Sequence, residues 1–103
     1  MITITVQYTE TGHMIGFTTT GHAEYNEEGS DIVCAAVSAL TQTALLGLLQ
    51  YAGPSDVQYT VQKGQLAVQL KRSCQEADII LNTMVLGLEE IARQYDTYVV
   101  LNR

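Results

Sequence analysis

The fold of this protein is decided by residues 30–54, SDIVCAAVSALTQTALLGLLQYAGP, a long apolar segment between two helix signals. Ser30 or Asp31 can cap the start of a helix, because a side-chain oxygen there accepts hydrogen bonds from the first backbone amides. Gly53-Pro54 ends the helix near Tyr51, since proline cannot continue a helix and glycine favours its C-terminal turn. The stretch therefore predicts one long helix.

This helix carries no charged residue between Ile32 and Gly53, and the segment is about long enough to span a bilayer. Strand patterns lie on both sides of it, and polar residues interrupt it at Ser38, Thr41, Gln42, Thr43 and Gln50. We therefore predict a central, largely buried helix and no membrane association. Because the helix is apolar nearly all round, a second helix or a second subunit must cover what one small sheet leaves exposed.

Alternation of apolar and polar residues predicts a β-hairpin on each side of the helix. The first hairpin is predicted over Ile2–Tyr8 and Met14–Thr20, with a turn at residues 10–13. The second is predicted to pair Val57, Tyr59 and Val61 with Leu66, Val68 and Leu70 across a turn at Lys63-Gly64.

A second, amphipathic helix is predicted after Ser73, which fits a capping box with Glu76. Its apolar face is expected to contain Ala77, Ile80, Leu81, Met84, Leu88, Ile91, Ala92 and Tyr95. A short strand over Tyr98–Leu101 completes the order ββαββαβ. This order predicts an α+β fold in which a mixed sheet packs against two helices. The length predicts a single domain over residues 1–103.

The composition argues against several classes of protein. Of 103 residues, 47% are hydrophobic and 16% are charged, which argues against disorder. A net charge of −6 argues against direct nucleic acid binding and favours a basic partner. Two cysteines are too few for a disulfide scaffold, and the N-terminus lacks the basic and long apolar regions of a signal peptide. We therefore expect a cytoplasmic protein with reduced thiols.

His22 stands twelve positions before Cys34, so a base on a loop precedes a thiol near the start of the helix. The unpaired amides and the positive dipole end of a helix stabilise a thiolate. Cys34 is therefore the candidate nucleophile and His22 the candidate general base, with Gly21 permitting an unusual backbone angle beside it. The amides of Cys34 and of Gly21 or His22 are candidate donors to an oxyanion. The alternative for Cys34 is a small buried core residue.

Asp31 has two interpretations, and the sequence leaves both open. As a helix cap, its carboxylate accepts hydrogen bonds from amides of the first turn. As a third catalytic residue, it orients the ring of His22 and stabilises the imidazolium.

The residues between His22 and Asp31 predict a polar, acidic loop. Its candidate substrate-contacting residues are Glu24, Tyr25, Glu27, Glu28 and Gly29. Carboxylates close to a thiol oppose thiolate formation, so we expect them to point away from Cys34 or to bind a basic substrate. The alternative is a solvated loop without a role. Gly21 and Gly29 bracket the segment, which we expect to close over a bound peptide.

We expect neither a metal nor a cofactor. His13, His22, Cys34 and Cys74 lack the short ligand spacings of zinc sites, and there is no glycine-rich phosphate-binding loop. Cys74 is interpreted as structural. His13 is interpreted as a turn residue without a role.

Gly21-His22-Ala23, followed after five residues by the run from Gly29 to Ser38, closely resembles the signature of the Prp family of ribosomal-processing cysteine proteases. The resemblance implies a cysteine endopeptidase that removes the N-terminal extension of a basic large-subunit ribosomal protein. The chemistry it implies is an acyl-enzyme at Cys34, and it also implies a homodimer. Asp31 and Ser38 match the pattern, although the Ser38 hydroxyl has the alternative role of bonding to its own helix.

Two other classes of function remain open from the sequence. A non-enzymatic ribosome-associated binding module would bind a ribosomal protein without cutting it. A thiol redox sensor would oxidise Cys34 reversibly, with Cys74 as a candidate partner in a disulfide.

Overall fold

The computed structural model describes residues 1–21 and 30–103, without the side chains of Ser30 and Asp31. Its elements follow the predicted order ββαββαβ, with a short 3-10 turn at Pro54–Asp56. They are β1 (Ile2–Tyr8), β2 (Met14–Thr20), α1 (Ser30–Tyr51), β3 (Val57–Gln62), β4 (Gln65–Leu70), α2 (Gln75–Gln94) and β5 (Val99–Asn102). The fold class is confirmed, and the last strand begins one residue later than predicted.

In the described part of the chain, the strands form one five-stranded sheet in the order β3-β4-β2-β1-β5. The pairs β1–β2, β2–β4 and β3–β4 are antiparallel, whereas β1 and β5 are parallel, so the sheet is mixed as predicted. This order brings the second hairpin against β2 and leaves β3 and β5 at the two edges. The end of β2, where the chain leads toward His22, therefore lies beside the start of β4.

The core lies between one face of the sheet and the two helices. Its fully buried side chains include Ile4, Phe17 and Val68 from the sheet, which meet Leu48 of α1 and Leu81 of α2. Burial of such side chains contributes about 1.5–3 kcal/mol each, as an upper estimate, because the unfolded chain already buries part of its apolar surface. The core thus packs both helices against the same sheet.

Burial of α1 is confined to one side of the helix. Its sheet-facing side contains the buried Val33, Val37, Thr41, Ala44, Leu45 and Leu48. Ile32, Leu46 and Tyr51 are about two-thirds exposed. The expectation of a largely buried helix is therefore met on this side alone, since α2 flanks α1 without enclosing it.

Among the residues described, Ile32–Tyr51 is the one helical segment whose length and mean hydropathy of 2.0 suffice to cross a membrane. A core helix of a soluble protein meets the same two criteria. Here the helix packs on the sheet with a third of the segment buried.

The start of α2 and the burial of β3 differ from the predictions. Cys74, and not Ser73, is the N-cap of α2, and its Sγ accepts a hydrogen bond from the amide of Ala77 at 3.4 Å. The helix begins one residue later than a Ser73–Glu76 capping box requires. In β3, Val57 is buried but Tyr59 and Val61 are exposed, because the helices do not cover this edge strand.

Candidate active site

Cys34 is the fifth residue of α1 and lies half-buried at a cleft of about 230 Å³. Side chains on a helix lean toward its N-terminus, so the thiol of Cys34 is directed toward the first turn. The described lining residues are all uncharged: Ile2, Thr19, Gly21, Cys34, Val37, Ser38, Thr41, Gln42, Val61, Gln62, Gly64, Gln65 and Leu66. An uncharged cleft with amide and hydroxyl groups suits the backbone of a peptide.

The chain approaches the cleft through Gly21, whose φ is +90°. The amide of Gly21 donates a hydrogen bond to the carbonyl oxygen of Gly64 in the β3–β4 turn, at 3.0 Å. A Cβ at position 21 would lie 2.2 Å from the carbonyl oxygen of Met1. The unusual backbone angle predicted for Gly21 is therefore confirmed, and neighbouring backbone holds the residue in place.

Two of the amides predicted as oxyanion donors are already engaged. The Gly21 amide bonds to Gly64, as described above. The amide of Cys34, at the fifth helical position, belongs to the helical pattern in which each amide bonds to the carbonyl four residues earlier. The amides that a helix leaves without an internal partner belong to its first turn, here from Ser30 to Ile32. We add these first-turn amides to the candidate donors, while the roles of the Cys34 amide and of the His22 amide, which lies outside the described residues, stay predictions.

Several candidate residues lie outside the described part of the chain. They are His22, Glu24, Tyr25, Glu27, Glu28 and Gly29. Asp31 belongs to the first turn of α1, but its side chain is also outside the description. Its two interpretations, helix cap and orienting residue, both remain predictions.

Ser38 and Thr41 line the cleft one and two helical turns after Cys34. Ser38 is exposed, as a side chain that meets a substrate must be. Thr41 is 1% exposed, and its hydroxyl donates to the carbonyl of Val37 at 2.9 Å. Sequence reasoning missed Thr41 as a lining residue, because a threonine within an apolar helix gives no signal of facing a cleft.

The second hairpin supplies the opposite wall of the cleft, through Val61, Gln62, Gln65 and Leu66. Sequence reasoning missed this wall. These residues lie more than 25 positions after Cys34, and only the pairing of β4 with β2 brings them to it. No local motif marks them.

His13 and Cys74, the other histidine and cysteine of the chain, are not among the described lining residues of this cleft. His13 Nδ1 lies 3.1 Å from a carboxylate oxygen of Asp78, in an exposed pair that the sequence did not predict. No disulfide joins Cys34 and Cys74. The described residues contain no group of three or more His, Cys, Asp and Glu side chains able to hold a metal ion.

The sequence is similar over its whole length to proteins of one family. The profile of the family described as Cysteine protease Prp matches residues 1–100. The Ribosomal processing cysteine protease Prp of Staphylococcus aureus (strain Mu50) is 31% identical over 106 residues, which cover 99% of this chain and 98% of the relative.

Two crystal structures of the essential ribosomal processing protease Prp from S. aureus have the same fold. The complex with a covalently linked product peptide has a TM-score of 0.86 at 27% identity. The complex with a substrate peptide has a TM-score of 0.83 at 25% identity. Each comparison covers 99% of this chain and 98% of the other.

Proposed function

This chain belongs to the Prp family of cysteine proteases, and we propose that it removes the N-terminal extension of a large-subunit ribosomal protein. The observation that carries the proposal is the position of Cys34, at the start of a packed helix and at an uncharged cleft. The names of the relatives, ribosomal processing cysteine proteases, support the substrate class. The substrate and product peptides in the S. aureus complexes support a peptide in the cleft.

The proposed chemistry is acyl transfer through a thioester. His22 takes the proton of the Cys34 thiol, and the thiolate attacks the scissile carbonyl carbon to form a tetrahedral oxyanion. First-turn amides of α1 donate to that oxyanion. The oxyanion collapses, the C–N bond breaks, and protonated His22 gives its proton to the leaving amine. His22 then activates water, which hydrolyses the thioester and regenerates the thiol.

The position of Gly21 supports the role of His22. Gly21 lines the cleft of Cys34, and its hydrogen bond to Gly64 fixes the backbone immediately before the histidine. Ser38 lines the same cleft, so we assign its hydroxyl to the bound peptide. For Asp31 we retain both roles, cap and orienting residue.

The distribution of charge supports a basic substrate. Glu24, Glu27 and Glu28 lie in the chain between His22 and Cys34, whereas the described lining of the cleft is uncharged. We therefore propose, from the sequence of this segment, that its carboxylates attract a basic ribosomal protein.

A cleavage assay tests the proposed function. The protein is incubated with the host's full-length ribosomal protein carrying its N-terminal extension, and the products are read by intact mass. We expect one defined cut and, after rapid quenching, a protein mass increased by an acyl group. Binding without any cut would favour the binding module. Absence of a cut together with reversible oxidation of Cys34 would favour the redox sensor.

We also propose that the protein is a homodimer. Exposed apolar residues of both helices, Ile32, Leu46, Ile79 and Leu86, support this proposal. Between the helices lies a largely apolar groove of about 370 Å³, which a second copy could fill. Light scattering is expected to give twice the mass of one chain, and Leu46→Glu to give a monomer. Gln69→Glu, which adds the same charge on the sheet, is the control. A monomeric parent protein would exclude the dimer.

A further inference from the structure

Two exposed apolar residues of β3 lie on the same side of the sheet as the hydrophobic core. In the β3–β4 ladder, Tyr59 is paired with Val68 and Val61 with Leu66. Directly paired residues share a face of the sheet, and both partners in β4 are buried. Tyr59 is nevertheless 51% and Val61 64% exposed. Their side chains are thus directed to the helix side of the sheet, where α1 does not cover them.

This exposed strip is continuous with the candidate active site. Val61 lines the same cleft as Cys34, and Gln62 and Gln65, on either side of the β3–β4 turn, also contribute to its lining. Tyr59 follows on the same side of β3, about 6.5–7 Å further along the strand. An extended peptide repeats its side chains on one face at this same spacing. An extended peptide that leaves the cleft along β3 would therefore present alternate side chains to Val61 and Tyr59.

We propose that Val61 and Tyr59 form two apolar subsites for substrate residues that stand two positions apart on one side of the scissile bond. This inference rests on the proposed function, since the occupant is the peptide that Cys34 cuts. Val61 takes the side chain nearer the scissile bond, because it lines the cleft itself. Tyr59 takes the farther one and offers a flat ring for an aliphatic or aromatic group. The apolar strip thus selects side chains, while the uncharged amide groups of the cleft hold the peptide backbone.

The experiment uses peptides that span the extension and the first mature residues of the host's ribosomal protein. In each peptide, one apolar residue is replaced by serine. Cleavage by the parent protein, Val61→Ser and Tyr59→Ala is compared through kcat/KM. Binding of the same peptides, labelled with fluorescein, is measured with Cys34→Ala versions of the three proteins. Val100→Ser is the matched control, because Val100 is a partly exposed valine on the opposite edge strand, β5.

We expect Val61→Ser to lower kcat/KM on the unmodified peptide about tenfold, mainly through KM, because an apolar contact is lost. For this variant, serine at one particular peptide position should cause no further fall in kcat/KM. For Tyr59→Ala, the peptide position at which serine causes no further fall in kcat/KM should lie two residues away from that one. Such position-specific coupling identifies contact between the paired groups, whereas a general structural effect would lower cleavage of every peptide equally. Val100→Ser should behave like the parent protein on every peptide.

The outcomes separate this inference from the proposed function. The two subsites are contradicted if both variants cleave normally with unchanged peptide preferences. They are also contradicted if both variants lose the same factor in kcat/KM on every peptide. In either case the proposed protease function stands. If the parent protein cuts nothing, the proposed function fails. In that case, the same two-position pattern in peptide binding still supports the subsites, and its absence overturns them as well.

Discussion

Cys34→Ala is expected to abolish cleavage of the ribosomal precursor, with a fall in kcat/KM of about 10⁴-fold or more, as in other enzymes that lose their nucleophile. Alanine cannot form the thioester, and no other cysteine or histidine lies among the described lining residues of the cleft. The fold should survive, because Cys34 is half-buried and packs only at the margin of the core. His22→Ala is expected to cause a loss of similar size, since the thiol would then lack its base.

Cys74→Ala provides the matched control for the loss of a thiol. Cys74 also stands at the start of a helix and caps α2 through its bond with the Ala77 amide. Its replacement should cost about 0.5–1 kcal/mol of the free energy of unfolding, the low end for a cap. Cleavage should remain. Intact-mass kinetics and urea denaturation measure the two effects, and equal losses of activity in Cys34→Ala and Cys74→Ala would contradict the assignment of the nucleophile.

Gly21→Ala is expected to be both destabilising and inactivating. Its φ of +90° is unfavourable for alanine, and the added Cβ would lie 2.2 Å from the carbonyl oxygen of Met1. This oxygen belongs to the backbone and cannot rotate away as a side chain can. Relief of the clash moves β1 or the chain before His22 and weakens the bond from Gly21 to Gly64. We expect a loss of about 2–4 kcal/mol in the free energy of unfolding, with cleavage lowered further because His22 is displaced.

Gly12→Ala separates conformational strain from the steric clash. Gly12 has nearly the same φ, +88°, but a Cβ there would have no atom within 4 Å. Gly12→Ala should therefore lower the free energy of unfolding only through backbone strain, by about 1–2 kcal/mol. Its cleavage activity should be unchanged. Urea denaturation and kcat/KM are measured for both variants. If Gly21→Ala proved no more destabilising than Gly12→Ala, the contact with Met1 would not be the constraint that we describe.

The element order and the family were predictable from the sequence, because their signals are local. Each of these signals depends only on residues that are close in the sequence. Examples are the alternation in β1 and β2, the uncharged apolar run of α1 and the helix stop at Gly53. The motif between Gly21 and Ser38 is equally local, and the family resemblance that it carried is confirmed. The exact start of α2 was not predictable. Ser73 is of the residue type that caps helices most often and stands directly before Cys74, the cap that the structure shows, so the local signal pointed one residue too early.

The sequence by itself determined the candidate nucleophile, since Cys34 belongs to a helix whose start is encoded by its immediate neighbours. The tertiary structure decided what faces that thiol. Pairing of β4 with β2 brings Val61, Gln62 and Gln65 to the cleft, and the Gly64 carbonyl receives the Gly21 amide there. Helix and strand periodicities depend on neighbouring residues, whereas the walls of a cleft depend on strand register and on which edge the helices leave uncovered. The same long-range packing turned Tyr59 and Val61, which alternate like core residues, into an exposed apolar strip.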